Sequence, residues 1–230
     1  MIIALNNKSN LEKDEFLNYI EELKKIQTNN TLILCPTFLN IPLVDNTILL
    51  GSQNVSSKDN GAYTGEISAT QLKTHNVKYS IVGHSERREY QKESNNDIKE
   101  KVNKLLENGI TPILCIGETL DERKTNKYKE VLKEELSILD DLNDEVKSNI
   151  IVAYEPIWSI GTGVIPTNSE IEEVFRFIKD MLPNSKVLYG GSANETNIDV
   201  LNQISLIDGY LLGGLSLKLD KLQVFLDKLK

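Results

Sequence analysis

Short apolar segments alternate with amphipathic segments along the chain. Eight of the apolar segments are apolar almost throughout rather than at every second position, which is typical of parallel strands that are covered on both faces. These segments are residues 2–5, 31–35, 48–53, 79–82, 111–116, 149–154, 186–189 and 209–212. We therefore predict eight buried parallel strands.

Most of the intervening segments carry apolar residues at helical spacing. In residues 15–26, Phe16, Ile20 and Leu23 fall on one face, which predicts an amphipathic helix. The same spacing recurs in residues 98–106, 128–139 and 171–181. Eight strands with helical spacers predict the α/β class and a single-domain (β/α)8 barrel. A doubly wound sheet fits the same pattern, because periodicity does not show whether a sheet closes on itself.

Length and charge limit the number of domains and the kind of partner. The 230 residues contain no linker rich in Pro, Gly or Ser, so we interpret residues 1–230 as one domain. The formal charge is −8, from 26 basic and 34 acidic side chains. Nucleic acids and anionic membranes are bound by basic patches, so we expect neither as a partner. We expect a small anionic ligand that is held locally.

The cysteine and histidine content bears on metal sites and on location. Cys35 and Cys115 lie far apart in apolar segments, and His75 and His84 are the two histidines. This content predicts neither a disulfide framework nor a metal site. No apolar run approaches the roughly 18 residues of a membrane span, and the N-terminal apolar run is too short for a signal-peptide core. We therefore expect a cytoplasmic protein without a metal site.

Polar residues follow several predicted strands, where a barrel places its active site. Asn6 and Lys8 follow the first strand, His84 and Glu86 follow the fourth, and Glu155 follows the sixth. Three glycine pairs follow later strands, namely Gly161 and Gly163, Gly190 and Gly191, and Gly213 and Gly214. Glycine-containing loops with one lysine suit a small anion, and a carboxylate near a histidine suits proton transfer. Taken singly, each residue also fits an ordinary structural role.

Six motifs occur in a fixed order from the first predicted strand to the last. They read NNK at 6–8, GHSERR at 83–88, CIGE at 115–118, AYEPIWSIGTG at 153–163, YGGS at 189–192 and DGYLLGG at 208–214. As an ordered set they resemble the triosephosphate isomerase family, to which GHSERR and YEPIW are highly specific. The resemblance implies a TIM barrel that interconverts dihydroxyacetone phosphate and D-glyceraldehyde 3-phosphate through an enediolate, without a cofactor, in glycolysis and gluconeogenesis.

The resemblance also implies a role for each matching residue. Glu155 would be the base that moves a proton between the substrate carbons, and His84 would polarise the carbonyl group. Lys8 would offset the negative charge, Asn6 would bind the substrate and position Lys8, and Glu86 would order the charges around Lys8. The residues implied to grip the phosphate are Gly161, Ser192, Gly213 and Gly214.

Two loops carry further implications. Residues 157–166 resemble the lid of the family, although Val164, Ile165 and Pro166 stand where the family usually has Lys followed by two small residues. The loop that starts at Gly61 and ends at Glu66 resembles the loop that family members insert into a neighbouring subunit, which implies a homodimer.

Two other functional hypotheses fit a barrel of this kind. The first is a catalytically inactive barrel that is kept as a binding or regulatory protein, and the joint presence of Asn6, Lys8, His84 and Glu155 argues against it. The second is another phosphate-binding barrel enzyme, of amino-acid biosynthesis, which would share the glycine-rich loops. That enzyme predicts different acid–base residues and no YEPIW motif, so the isomerase is the favoured hypothesis.

Overall fold

The strands of the barrel are all parallel in this computed structural model, which describes residues 1–160 and 165–229. Within these residues eight strands pair in the order β2-β1-β8-β7-β6-β5-β4-β3. Their bounds are β1 Ile2–Asn6, β2 Thr31–Cys35, β3 Gly51–Ser52, β4 Tyr79–Val82, β5 Thr111–Ile116, β6 Ile151–Tyr154, β7 Lys186–Tyr189 and β8 Gly209–Leu212.

The two ends of the sheet meet between β2 and β3. Leu34 forms an isolated parallel bridge with Leu50, and its N–H donates to the carbonyl oxygen of Leu49 at 2.9 Å. The sheet is therefore a nearly closed barrel, which confirms the predicted fold class and excludes the doubly wound alternative.

Two strands are shorter than predicted, because the chain turns at their first residues. The N–H of Ile48 points back to the carbonyl oxygen of Asp45 in a turn, so β3 is confined to Gly51–Ser52. Asn149 is the C-cap of a preceding helix, so β6 begins only at Ile151.

Ten α-helices connect or flank the strands in the described ranges. They are α1 Lys13–Leu23, α2 Ala69–Thr74, α3 Ser85–Tyr90, α4 Asn95–Glu107, α5 Leu120–Lys124, α6 Tyr128–Leu136, α7 Asp144–Ser148, α8 Asn168–Met181, α9 Ile198–Leu201 and α10 Leu219–Asp227. Each predicted helix overlaps one of these, and the last residues of the predicted 128–139 helix form a 3-10 turn, Ser137–Leu139. In the described part of the chain, no helix has the length and apolarity that crossing a membrane requires.

The barrel has two apolar layers, because successive side chains of a strand point to opposite faces. In β1, Ala4 packs inside the barrel, whereas Ile3 and Leu5 pack outward in the layer beneath the helices. Burial on both faces explains the nearly continuous apolar runs in the sequence. Because all the strands are parallel, the polar residues that follow them gather at one end of the barrel.

Candidate active site

Asn6 and Lys8 leave the end of β1 in a tight turn. Lys8 has a φ of 52°, in the left-handed region that non-glycine residues rarely adopt. The Asn6 side-chain oxygen accepts the N–H of Lys8 at 3.0 Å and so stabilises this turn. The Lys8 ammonium group donates to a carboxylate oxygen of Glu86 at 2.5 Å. The turn thus carries the lysine to the mouth of the barrel, where Glu86 balances its charge.

His84 and Glu155 lie side by side after β4 and β6, and both are buried. His84 Nε2 is 3.0 Å from Glu155 Oε1, and the other oxygen of that carboxylate accepts the N–H of Ser85 at 3.1 Å. His84 Nδ1 accepts the N–H of Glu86 at 3.2 Å, at the start of α3. A nitrogen that accepts a hydrogen bond carries no proton, so the imidazole proton lies on Nε2 and faces Glu155.

Burial and neighbouring charge shift the pKa of each member of this pair in opposite directions. Burial lowers the pKa of His84, but the adjacent Glu155 carboxylate outweighs it and raises the pKa above its usual value. Burial raises the pKa of Glu155, whereas His84 and the N–H of Ser85 outweigh it and lower the pKa. Glu155 is thus held as a carboxylate, the form that a base requires. The Glu155 carboxylate pulls His84 toward the imidazolium, whereas the hydrogen bond from the Glu86 N–H holds it neutral, because only an unprotonated Nδ1 can accept that bond.

A cavity of about 400 Å³ adjoins this pair at the ends of the strands. A Cβ at Gly213 would lie 3.1 Å from Lys8 Cε, and a Cβ at Gly190 would lie 2.9 Å from Glu155 Cγ. Side chains at these positions would crowd the lysine and the carboxylate. Glycine therefore leaves room for an anion to approach the backbone N–H groups of these loops.

The structure brings most of the predicted site residues around this one cavity. Its lining includes Asn6, Lys8, His84, Glu155, Ser192, Gly213 and Gly214. Glu86 contacts Lys8 from an adjoining cavity. Gly161, and with it part of the predicted lid, lies outside the described residues.

Glu118 is a fully buried carboxylate that anchors the start of the predicted lid. One of its oxygens accepts hydrogen bonds from the indole N–H of Trp158 at 3.1 Å and from the Tyr154 hydroxyl at 3.0 Å. Arg123 donates to the same oxygen at 2.9 Å. The residues that lead from β6 into residues 157–160 are thereby tied to the end of β5.

The sequence-based site omitted several residues of the same region. Lys218 and Lys221 also line the cavity, and Lys221 pairs there with Glu195 at 2.8 Å. Glu135 lies behind the site, where it accepts the N–H of Gly117 at 2.8 Å. A signal for Glu135 existed, because it occupies the apolar stripe of α6 next to Leu136. An acidic residue on a buried face needs a partner.

Together these features define a barrel with a carboxylate–histidine pair beside a cavity that a lysine and glycine-containing loops also line. A family model described as triosephosphate isomerase matches residues 1–229. The chain therefore belongs to the triosephosphate isomerase family, which confirms the resemblance, the TIM-barrel fold and the isomerase class that the motifs implied.

Three curated relatives agree with this assignment, and each is named triosephosphate isomerase. The chain is 38% identical to that of Bacteroides fragilis over 98% of this chain and 97% of the relative. It is 42% identical to that of Mesomycoplasma hyorhinis over 93% of this chain and 91% of the relative. It is 44% identical to that of Francisella tularensis subsp. holarctica over 74% of this chain and 70% of the relative.

Proposed function

We propose that this cavity interconverts dihydroxyacetone phosphate and D-glyceraldehyde 3-phosphate, as a step of glycolysis and gluconeogenesis. The observation that carries the proposal is the contact of Glu155 with His84 at 3.0 Å in a cavity that Lys8 and two glycine loops also line. A base, an electrophile and an anion site are thereby all within reach of one small molecule.

Glu155 removes a proton from the carbon next to the substrate carbonyl, and an enediolate forms. For this step its carboxylate leaves the N–H of Ser85 and turns toward the substrate. The Nε2 proton of His84, which faces Glu155 in the unliganded site, is then donated to the substrate oxygen. His84 takes up the proton of the neighbouring hydroxyl group, and Glu155 returns its proton to the neighbouring carbon, so the carbonyl group has moved and both residues are restored. Triosephosphate isomerases are the standard example of a glutamate base that works with a neutral histidine.

Lys8 and the loops after β7 and β8 hold the phosphate and offset charge on the enediolate. Preorganised donors stabilise a developing negative charge without reorganising when it forms. Asn6 maintains the turn that presents Lys8, and Glu86 holds the ammonium group until substrate binds. Ser192, Gly213 and Gly214 supply polar groups at the cavity wall, and the role of Gly161 stays a prediction.

The wild-type chain is expected to interconvert the two triose phosphates in a coupled assay that contains EDTA and no added cofactor. Inorganic phosphate should compete with the substrate, because both present an anionic phosphate to the same loops. Unphosphorylated glyceraldehyde is the control substrate and should react far more slowly. A requirement for added metal, or phosphate that does not compete, contradicts the proposed site. Folded protein without turnover would instead favour the hypothesis of an inactive binding barrel.

We also propose a homodimer formed through the loop that starts at Gly61 and ends at Glu66. All residues of this loop are exposed, and Tyr63 is 47% exposed at its tip. The start of the loop is anchored by Asn60, whose side-chain oxygen accepts a hydrogen bond from the Thr70 hydroxyl at 2.8 Å. A well-anchored loop with an exposed aromatic residue suits insertion into a partner. The cytoplasmic location stays a prediction.

Sedimentation equilibrium at micromolar concentration should give twice the chain mass of 25.9 kDa. Thr64→Arg should shift the protein toward the monomer, because it places a charge at the tip of the inserted loop. Val224→Arg, on the exposed surface of α10, is the matched control and should remain dimeric. A wild-type monomer at this concentration would overturn the dimer.

A further inference from the structure

Three buried polar side chains form a hydrogen-bonded cluster beneath the anion site. The cluster consists of Asn7 after β1, Tyr19 of α1 and Ser216 after β8, which are 1%, 7% and 0% exposed. The Asn7 amide donates to the Ser216 hydroxyl at 3.2 Å and to the Tyr19 hydroxyl at 3.4 Å. The Tyr19 hydroxyl donates to the Ser216 carbonyl oxygen at 2.8 Å.

The Asn7–Tyr19–Ser216 cluster contacts both segments that form the anion site, the turn that carries Lys8 and the loop that contains Gly213. The Ser216 hydroxyl donates to the carbonyl oxygen of Asn6 at 3.1 Å, next to the turn that carries Lys8. The Ser216 N–H donates to the carbonyl oxygen of Gly213 at 2.9 Å. The cluster is therefore one residue away from the lysine on one side and contacts the phosphate loop on the other.

The strands themselves do not make this connection. The register of β1 with β8 ends at the pair Leu5 and Leu212, below the site. Beyond that pair, the cluster supplies hydrogen bonds between the two segments. These bonds set the spacing between the Lys8 ammonium group and the N–H groups near Gly213.

Packing alone does not account for polar residues at these positions. The Asn7 side-chain oxygen is buried and has no hydrogen-bond partner among the described residues. A buried polar atom without a partner is costly, whereas apolar side chains of similar shape could fill the same space at little cost. The Tyr19 hydroxyl is protonated at physiological pH and can donate, and burial raises its pKa further, to about 12.

We propose that Tyr19 and Asn7 are positioning residues for the phosphate site and act through Ser216. They hold the Lys8 turn and the Gly213 loop at the separation that a substrate phosphate requires. The proposal rests on the function proposed above, since it assigns the phosphate as the group that is bound. It predicts an effect on binding rather than on proton transfer.

Tyr19→Phe removes one hydroxyl and keeps the ring that stacks on Phe16. The KM for glyceraldehyde 3-phosphate and the inhibition constant of inorganic phosphate should rise together by about 3- to 10-fold, the effect of losing the hydrogen bond to the Ser216 carbonyl oxygen and the longer one from Asn7. The kcat should stay within about twofold, as expected when binding is weakened equally in the ground state and the transition state. Ser216→Ala should act in the same direction, and the double variant should be less than additive.

Tyr210→Phe is the matched control. Tyr210 is also a fully buried tyrosine, it packs on Phe225 outside the barrel, and its hydroxyl has no partner in the described ranges. Its loss should leave the KM and the phosphate inhibition constant unchanged. If Tyr19→Phe lowers the unfolding midpoint but leaves both constants unchanged, the cluster is merely structural and the proposal is overturned. A fall in kcat at constant KM overturns it as well.

A binding measurement distinguishes failure of this positioning role from failure of the proposed isomerase function. Binding of inorganic phosphate to the wild-type chain and to Tyr19→Phe can be measured by calorimetry without turnover. Weaker phosphate binding by the variant supports the positioning role even if the wild type is inactive. Equal binding by both proteins overturns the role whatever the activity.

Discussion

Glu155→Gln is expected to lower kcat for dihydroxyacetone phosphate isomerisation by roughly 10³-fold, within the range that a positioned base contributes. Glutamine keeps the shape of glutamate, but its amide oxygen is far too weak a base to remove a carbon-bound proton. The carboxylate accepts from both His84 and Ser85, and an amide offers a single oxygen to accept with. The variant therefore loses the base and part of its alignment.

The measurement is kcat in both directions, together with exchange of the substrate hydrogen for deuterium from heavy water. Both should fall together in Glu155→Gln, because enolisation precedes each of them. Inhibition by inorganic phosphate should be nearly unchanged, since the lysine and the glycine loops remain. Glu89→Gln, on the exposed surface of α3, is the matched control and should retain full activity. If Glu155→Gln keeps more than a tenth of the wild-type kcat, Glu155 is not the base.

Local sequence patterns were sufficient to predict most of the strands and helices of the barrel. The run of β5, Thr111–Ile116, matches its predicted bounds because both of its faces are buried. Thr167 and Glu170 cap α8 reciprocally, a signal contained within four residues. Periodicity could not show closure, which depends on a bridge between Leu34 and Leu50. It also missed the turn at Ile48 that shortens β3.

The candidate site likewise contains residues that the sequence could predict and residues that it could not. Asn6, Lys8, His84 and Glu155 each follow a strand, so barrel geometry predicts that they meet at one end. The contact between Asn7 and Ser216 joins residues 209 positions apart. No local pattern reports such a contact, because it arises only when the first and last strands pair. Residues that position the site are therefore harder to predict than those that line it.

Glu135 of α6 is a buried carboxylate behind the proposed catalytic pair. One oxygen accepts the N–H of Gly117 at 2.8 Å, and the other lies 3.3 Å from the guanidinium group of Arg88. Arg88 also donates to the carbonyl oxygen of Gly83, just before His84, at 2.9 Å. The pair thus ties α3 and α6 to the ends of β4 and β5.

The environment of Glu135 shifts its titration strongly. Burial raises the pKa of Glu135 from 4.5 to about 7, although Arg88 and the N–H of Gly117 act in the opposite direction. The charges of Glu122 and Glu155 add to the increase. In the unfolded chain the carboxyl group titrates near 4.5. Between these two pH values the folded state holds a proton that the unfolded state has released.

This difference links folding stability to pH through Glu135. The contribution is fully present below about pH 4.5 and is lost as the pH rises through about 7. At roughly 1.4 kcal/mol per pKa unit, the loss amounts to about 3 kcal/mol. Glutamine does not titrate, so Glu135→Gln lacks this contribution. The free energy of unfolding of the wild type should therefore fall by about 3 kcal/mol relative to the variant between pH 4.5 and pH 8.

Urea unfolding of both proteins at half-unit steps from pH 4.5 to pH 8 measures this change directly. Any constant cost of the substitution, such as altered packing against Arg88, cancels when the difference between the two proteins is followed across pH. Glu134→Gln, at the adjacent exposed position of α6, is the matched control and should differ from the wild type by a nearly constant amount. A constant difference for Glu135→Gln as well would mean that Glu135 keeps its charge throughout this range. The contact with Arg88 would then outweigh the cost of burial.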